Sequence, residues 1–422
     1  MKSKIIPKKN SFFFRNRFFL GFIIYLLLYH TILVNRLQVW ELNDLTHSVY
    51  CVDYSFGFAS KLLPGAICRL ILGTHPSKGA ITVYATAVII IFFILLSAIL
   101  QKFMNRIPAK YRNSAFILVL FFLSGAYTFS IYTKWVGLAD TYWLFIALAF
   151  FVFLEHNKLY CLIPLLFIFS LLIHFSALVF VIPLFSMLLL YKVSVVTEKR
   201  EKHHLLLVFA FSIVLTLASF SILMLNESKM ICSVDEFHQK LSENGTNYYF
   251  YHDYSFFHNW GGREFVPDSV LSMKPSLSKF FNLFYYQVKL VYDLLQADSQ
   301  KMGIALTIGG LLILTPLVCL FIKFHYYRFR ADKNRLKRFT ALLMIMQFPF
   351  IVFLGFLFAI SVDITRYYTH AFLVMFTCVL YVLYTEPEMQ IIFFEKMKDF
   401  KQSLPAKLYF LAYVVTTFAP SL

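Results

Sequence analysis

Three carboxylates, Glu41, Asp44 and Asp53, fall in one polar stretch from Trp40 to Phe58, soon after the first long apolar run of the chain. A carboxylate near a membrane exit can act as general base on a hydroxyl, or hold a divalent cation against a departing phosphate. Solvated loops also collect acids for no chemical reason. What raises the trio above that background is the rarity of acids close to the level of a bilayer.

Further along, Lys134 and Asp140 bracket a second polar turn, Lys134 to Tyr142. Asp140 reads as one turn inside an apolar span, where an isolated carboxylate is costly, with Lys134 as a partner. An Asp at that position also suits a helix cap. His174 interrupts a long apolar run at Ile173-His174-Phe175-Ser176. A lone histidine there is ordinarily a packing residue, but beside Asp140 it is a candidate base. Asp363 and Arg366 stand three apart before another span, a spacing that pairs them on one helical face. Arg366 could equally turn its planar fork toward a pyrophosphate, or simply snorkel. The candidate catalytic residues are therefore Asp44, Asp53, Asp140 and His174, and the candidate substrate-binding residues Glu41, Lys134, Asp363 and Arg366.

The elements that must position these residues are membrane helices. About ten apolar stretches between Phe18 and Ala419 are long enough, or nearly so, to cross a bilayer. The segments joining them alternate between strongly basic and mixed charge, and cytoplasmic loops retain Lys and Arg. Residues 1–17 carry six cations and no acid, so the N-terminus is expected in the cytoplasm. The first span, Phe18 to Asn35, lacks a small-residue cleavage site after it and reads as a retained anchor. The rest, 18–422, forms one transmembrane domain, with residues 36–79 and 226–302 as extracytoplasmic loops.

Tyr160 to Tyr191 is too long for one span and tight for two. Two short helices meeting near His174 keep the later basic loops on the cytoplasmic side. The segment Phe58 to Gly73, with Lys61 and Arg69, either lies in the interface with its cations on lipid phosphate or packs over the ends of the spans. Leu408 to Ala419 is short and reads as a membrane-associated segment. The expected fold is an all-α polytopic transmembrane helical bundle with short amphipathic outer helices.

Composition narrows the function. Hydrophobic residues make up 59% of the 422 and charged residues 14%, against about a quarter charged in soluble domains. The net charge of +17 sits in short loops beside spans, as topology and anionic lipid require, so nucleic acid is excluded as a partner. No phosphate-binding loop, dinucleotide turn or nucleophile elbow occurs, and no internal repeat of the inverted-transporter kind is visible. The six cysteines show no zinc spacing. Of these, Cys161, Cys319 and Cys378 read as small fillers within spans, while Cys51, Cys68 and Cys232 fall outside. The 226–302 loop is aromatic, with Tyr248, Tyr249 and Trp260 among others, which suits either sugar rings or the bilayer surface.

The arrangement of first-loop acids, the Gly137-Leu138-Ala139-Asp140 span start, Ile173-His174-Phe175-Ser176-Ala177-Leu178 between short helices, and Asp363 to Tyr367 resembles the bacterial O-antigen and exopolysaccharide polymerases. It is more loosely similar to C-class membrane glycosyltransferases. The adjacent acidic pair that many of the latter carry after the first span is absent here. The resemblance implies a membrane enzyme of the cell envelope, in the bacterial cytoplasmic membrane. It would transfer sugars from a polyprenyl-phosphate-linked glycan at the outer face, among other polysaccharide assembly proteins. No cofactor is implied, although a divalent cation could be accommodated. Two other readings stand beside it: a transporter or flippase of a lipid-linked or small solute, and a scaffold for envelope assembly. The spans carry few central charges, which favours the enzyme.

Overall fold

In a computed structural model, residues 16–34, 42–58, 60–123, 136–227, 234–245, 267–271, 364–386 and a few isolated positions are described. All regular elements among them are helices. Apart from the 3-10 turns Tyr54–Phe56 and Asn157–Leu162 and the short helix Asp268–Leu271, these are in chain order α1 (Arg17–Leu28, continued by a π-helical turn Tyr29–Val34), α2 (Asp44–Tyr50), α3 (Leu63–Leu72), α4 (Lys78–Arg106) and α5 (Ala109–Leu123). Then follow α6 (Thr141–Glu155), α7 (Ile163–Ile173), α8 (Ala177–Phe180), α9 (Ile182–Val195), α10 (Lys199–Glu227), α11 (Val234–Glu243) and α12 (Ile364–Thr385). Among the described residues, three stretches are long and apolar enough to cross a membrane: Lys78–Arg106, Ala177–Val195 and Lys199–Leu223. Residues 301–363, which hold two further expected spans, lie outside the described residues.

The helices run alternately up and down. Phe19 N–H donates to Gln101 Oε1 at 2.8 Å, while His30 stacks on Phe93 at 5.2 Å. Moving up α1 therefore means moving back along α4, and the two are antiparallel. One end of the bundle gathers cations. There Lys102 faces Glu155 at 3.7 Å, and Arg106 lies over the Tyr384 ring at 3.6 Å while donating to its carbonyl at 3.1 Å. The ends of α4, α6 and α12 thus share this basic end. At the opposite, loop end stand α2, α3 and the turns before α6 and after α7.

The chain does reverse at His174. Its backbone is extended there (φ −167°, ψ 138°), ending α7. Phe167 of α7 and Phe185 of α9 lie 6.0 Å apart and share Phe150. One continuous helix would hold those two rings about 27 Å apart.

Helix α6 is apolar all round, the composition of a helix buried in protein or in a bilayer. It packs on α4, α7 and α12, and Trp143, Ala147, Phe150, Phe151 and Leu154 are buried. It is also short. Its 15 residues span about 22 Å, against a hydrocarbon core of about 30 Å. In a bilayer of that thickness, with Glu155 at one surface, the start of α6 would stand about 8 Å short of the other. The α2–α3 layer lies over this end of α6 as a lid.

Several boundaries differ from the hydropathy pattern. Helices α4 and α10 reach past their apolar cores to take in Lys102, Arg106, Lys199 and Arg200, because long basic side chains extend into the headgroups while the helix continues. Residues 136–140, expected inside a span, form a turn in which Gly137 takes φ +92°. Asp140 is accordingly the N-cap residue of α6 rather than one turn inside it. Cys378 is a buried filler as expected, but Cys161 is exposed in the turn before α7.

Candidate functional site

The first loop folds as a compact layer. Asn43 caps α2 by accepting from Thr46 N at 2.8 Å, which places Asp44 in the first helical turn. Asp44 is exposed and pairs with Lys78 Nζ at 2.9 Å, and this ammonium holds its carboxyl below the usual range. Asp53 is engaged on both oxygens. Oδ1 accepts from Ser55 N at 2.8 Å and Oδ2 faces Arg69 Nη1 at 2.8 Å. Arg69 also donates to the Cys51 carbonyl at 3.2 Å. Of the two arrangements open for Phe58 to Gly73, the chain adopts packing over the span ends, with Arg69 turned inward.

Helix α3 can lie so close to α2 because Gly65 faces it; a Cβ at Gly65 would overlap the Val52 carbonyl oxygen. The layer is tied to the bundle at a second point. Ser60 Oγ donates to Leu171 O at 2.7 Å and Lys61 N–H to Leu172 O at 2.9 Å, two residues before the His174 break. Gly137 makes the third contact, since a Cβ there would strike Leu42, Thr46 and Tyr50 of the α2 region.

Beneath this lid lie Asp140 and His174. Asp140 is 2% exposed, and its side chain makes no capping hydrogen bond to α6. The hydroxyl of the next residue, Thr141, is buried without a hydrogen-bond partner among the described residues. Trp143, one turn into α6, donates from Nε1 to Ser170 O at 3.0 Å and presents its ring edge-on to His174 at 6.0 Å. His174 Nδ1 accepts from Ser176 N–H at 3.1 Å and lies 2.6 Å from Ser176 Oγ. A backbone N–H can only donate, so the neutral imidazole carries its proton on Nε2. That tautomer makes His174 a donor at Nε2, better suited to stabilising negative charge than to accepting a proton.

A further polar group is invisible to sequence spacing. The hydroxyls of Tyr84 and Tyr142 lie 2.8 Å apart, Tyr50 packs edge-on to Tyr84 at 5.8 Å, and Tyr50 and Tyr142 are also hydrogen-bonded. These tyrosines come from α2, α4 and the first turn of α6, so no single segment carries their signature. His47 is buried beside them in α2. Burial lowers its pKa from 6.5, Lys78 lowers it further, and Asp44 opposes.

Asp44, Asp53, Asp140 and His174 thus come to one end of the bundle. Of the other four candidates, Glu41, Lys134 and Asp363 lie outside the described residues. Arg366 is in the first turn of α12, whose start belongs to the same end, but its side chain is outside them too. The aromatic segment around Tyr248 and Trp260 is likewise outside. Within the described part of that loop, α11 packs Leu241 against Cys51, Val52 and Phe56. Asn244, in a glycosylation-type tripeptide, instead donates its amide to Cys51 O at 2.9 Å. No group of three or more His, Cys, Asp or Glu able to hold a metal occurs among the described residues.

No protein-family model matches the chain, and neither searches of curated proteins nor of solved structures find a match. The apolar helices establish a helical protein compatible with a membrane; what it does must be argued from the site.

Proposed function

We propose that the chain is an integral membrane glycosyltransferase of the polysaccharide-polymerase type, acting on polyprenyl-linked sugars beneath the α2–α3 lid at the loop end, which faces outward. The observation that carries this reading is Asp140, a carboxylate buried under a lid, beside a Thr141 hydroxyl with no hydrogen-bond partner among the described residues. A lipid-linked donor reaches such a site laterally, and its pyrophosphate is already an activated leaving group. Asp140 takes the proton of the acceptor hydroxyl as the new C–O bond forms. The departing pyrophosphate gains charge, which His174 Nε2–H and Arg366 stabilise. Asp53, held by Arg69 and Ser55, shapes the lid instead of reacting.

The test is genetic and chemical. The gene is deleted and restored as parent, Asp140→Asn or His174→Gln, and surface glycan length is compared. The reading expects short or absent polymer in both variants, with membrane levels equal to the parent. Full-length polymer from both variants would sink it and favour a transporter or scaffold.

A further inference from the structure

Helix α10 turns a row of bulky apolar side chains away from the bundle: Leu207, Phe211, Val214 and Leu217 are 55%, 57%, 61% and 59% exposed. Their spacing of three or four residues makes one stripe. Continued toward the helix start, the stripe meets His203 and then Lys199 and Arg200, all exposed. Helix α7 repeats the pattern. Leu162, Leu165 and Phe169 are exposed in a row, and exposed Lys158 precedes Leu162 by one turn.

The two stripes lie side by side. Helices α7 and α10 pack along one another, and the Tyr160 hydroxyl donates to Glu201 at 2.8 Å, drawing the turn that carries Lys158 against the start of α10. The Tyr160 and His204 rings are 5.9 Å apart. Two acids share the neighbourhood: Glu198 is exposed, and Glu201 is taken by Tyr160. None of the three ion pairs among the described residues involves Lys158, Lys199, Arg200 or Lys202.

We propose that this double stripe with its basic cap is a binding site for one anionic phospholipid. The phosphate sits among Lys158, Lys199 and Arg200, and the acyl chains run along Leu165 and Phe169 on one side and Leu207, Phe211 and Val214 on the other. Geometry favours a lipid over a soluble anion. Arg200 and Leu207 are about 10 Å apart along the helix axis, close to the step from headgroup to hydrocarbon in a bilayer. A free phosphate would use the cations and leave both stripes unexplained. Basic groups between membrane helices at one surface are the usual form of such sites. This inference does not depend on the catalytic reading, since the site lies at the basic end.

The full chain, purified in neutral detergent, is offered phosphatidylglycerol, phosphatidylcholine or inorganic phosphate, and retained lipid is read by native mass spectrometry alongside the melting temperature. Phosphatidylglycerol is expected to be retained at one copy and to raise the melting temperature, and the other two to do neither. The triple variant Lys158→Gln, Lys199→Gln, Arg200→Gln should bind phosphatidylglycerol roughly 100-fold more weakly, at about fivefold per cation. Lys110→Gln, elsewhere at the basic end, should bind like the parent. Equal retention of phosphatidylcholine, an equal shift with phosphate, unchanged binding by the triple variant, or an equal loss in Lys110→Gln would each overturn the proposal. The three side chains are exposed, so the variant should melt with the lipid-free parent. If it does not, Lys158→Gln alone carries the test, with about a fivefold loss expected and no loss overturning it.

Discussion

The Arg69 guanidinium meets the Asp53 carboxylate at 2.8 Å with both side chains largely buried, and the same guanidinium holds the Cys51 carbonyl at 3.2 Å. One side chain therefore fastens α3 both to the end of α2 and to the turn that follows it. Losing Asp53 leaves Arg69 its carbonyl partner, whereas losing Arg69 leaves a largely buried carboxylate without its counter-charge, held by Ser55 N–H alone, while the Cys51 carbonyl keeps the Asn244 amide. Arg69→Met should cost about 3 kcal/mol and Asp53→Asn about 2 kcal/mol. Thermal unfolding in detergent checks the order, and the opposite order would remove Arg69 from the centre of the lid.

The lid also depends on two close approaches of backbone. A Cβ at Gly65 would overlap a carbonyl oxygen, which cannot swing aside as a side-chain tip can. Gly137 combines a positive φ with three neighbours from the α2 region. Gly73 has a positive φ and open space around it. Gly65→Ala and Gly137→Ala should each cost about 3 kcal/mol, and Gly73→Ala about 1 kcal/mol. Protease cleavage within residues 42–73 should rise in the first two variants and stay near the parent level in the third.

His47 makes the lid sensitive to acid. Its pKa is lowered in the folded chain from 6.5, chiefly by burial, so between the folded value and 6.5 the unfolded chain binds the extra proton. The sign follows: stability is full above 6.5 and declines as pH falls below it. Replacing His47 with Gln should flatten this decline. A melting temperature that falls with acid as steeply in His47→Gln as in the parent would place the sensitivity elsewhere.

Thiol chemistry separates the two ends. Burial pushes the Cys51 thiol up to about 12 and the Cys68 thiol up to about 11, and both are buried in the lid. Cys161 is exposed at the basic end. In the solubilised chain a maleimide should modify Cys161 and spare Cys51 and Cys68 until unfolding. In intact cells an impermeant reagent should miss Cys161, and labelling from outside would invert the proposed orientation.

Much of this architecture is legible in the chain because membrane helices write themselves as apolar length, and because a reversal at His174 is forced by a run too long for one span. What is not legible is direction. Arg69 sits on an amphipathic segment whose sequence fits lipid phosphate as well as Asp53, and only the partner's position decides. The same holds for Asp53, whose solvated-loop surroundings hide a carboxylate with both oxygens used. Asp140 was expected one turn deeper because Val136 and Leu138 extend the apolar run, whereas Gly137 breaks the helix there. The Tyr50, Tyr84 and Tyr142 group has no local signature at all, as its members meet only when α2 lands on α4 and α6.

Trp143 offers the sharpest separation of positioning from stability. Its indole N–H donates to Ser170 O at 3.0 Å, and its edge faces His174 at 6.0 Å. Trp143→Phe removes the donor and part of the ring. Ser170 O also accepts His174 N–H at 3.2 Å, so the carbonyl stays satisfied and the cost should be only about 1 kcal/mol beyond the lost packing. If the indole orients the imidazole for charge stabilisation, glycan output should fall about tenfold or more while membrane level and helix content match the parent. Trp143→Tyr keeps the same ring as Trp143→Phe and adds a buried hydroxyl that does not reach the same carbonyl, so it should lose further stability without a matching further loss of output. Output that simply tracks the melting temperature across both variants would reduce Trp143 to packing and take the charge-stabilising role away from His174.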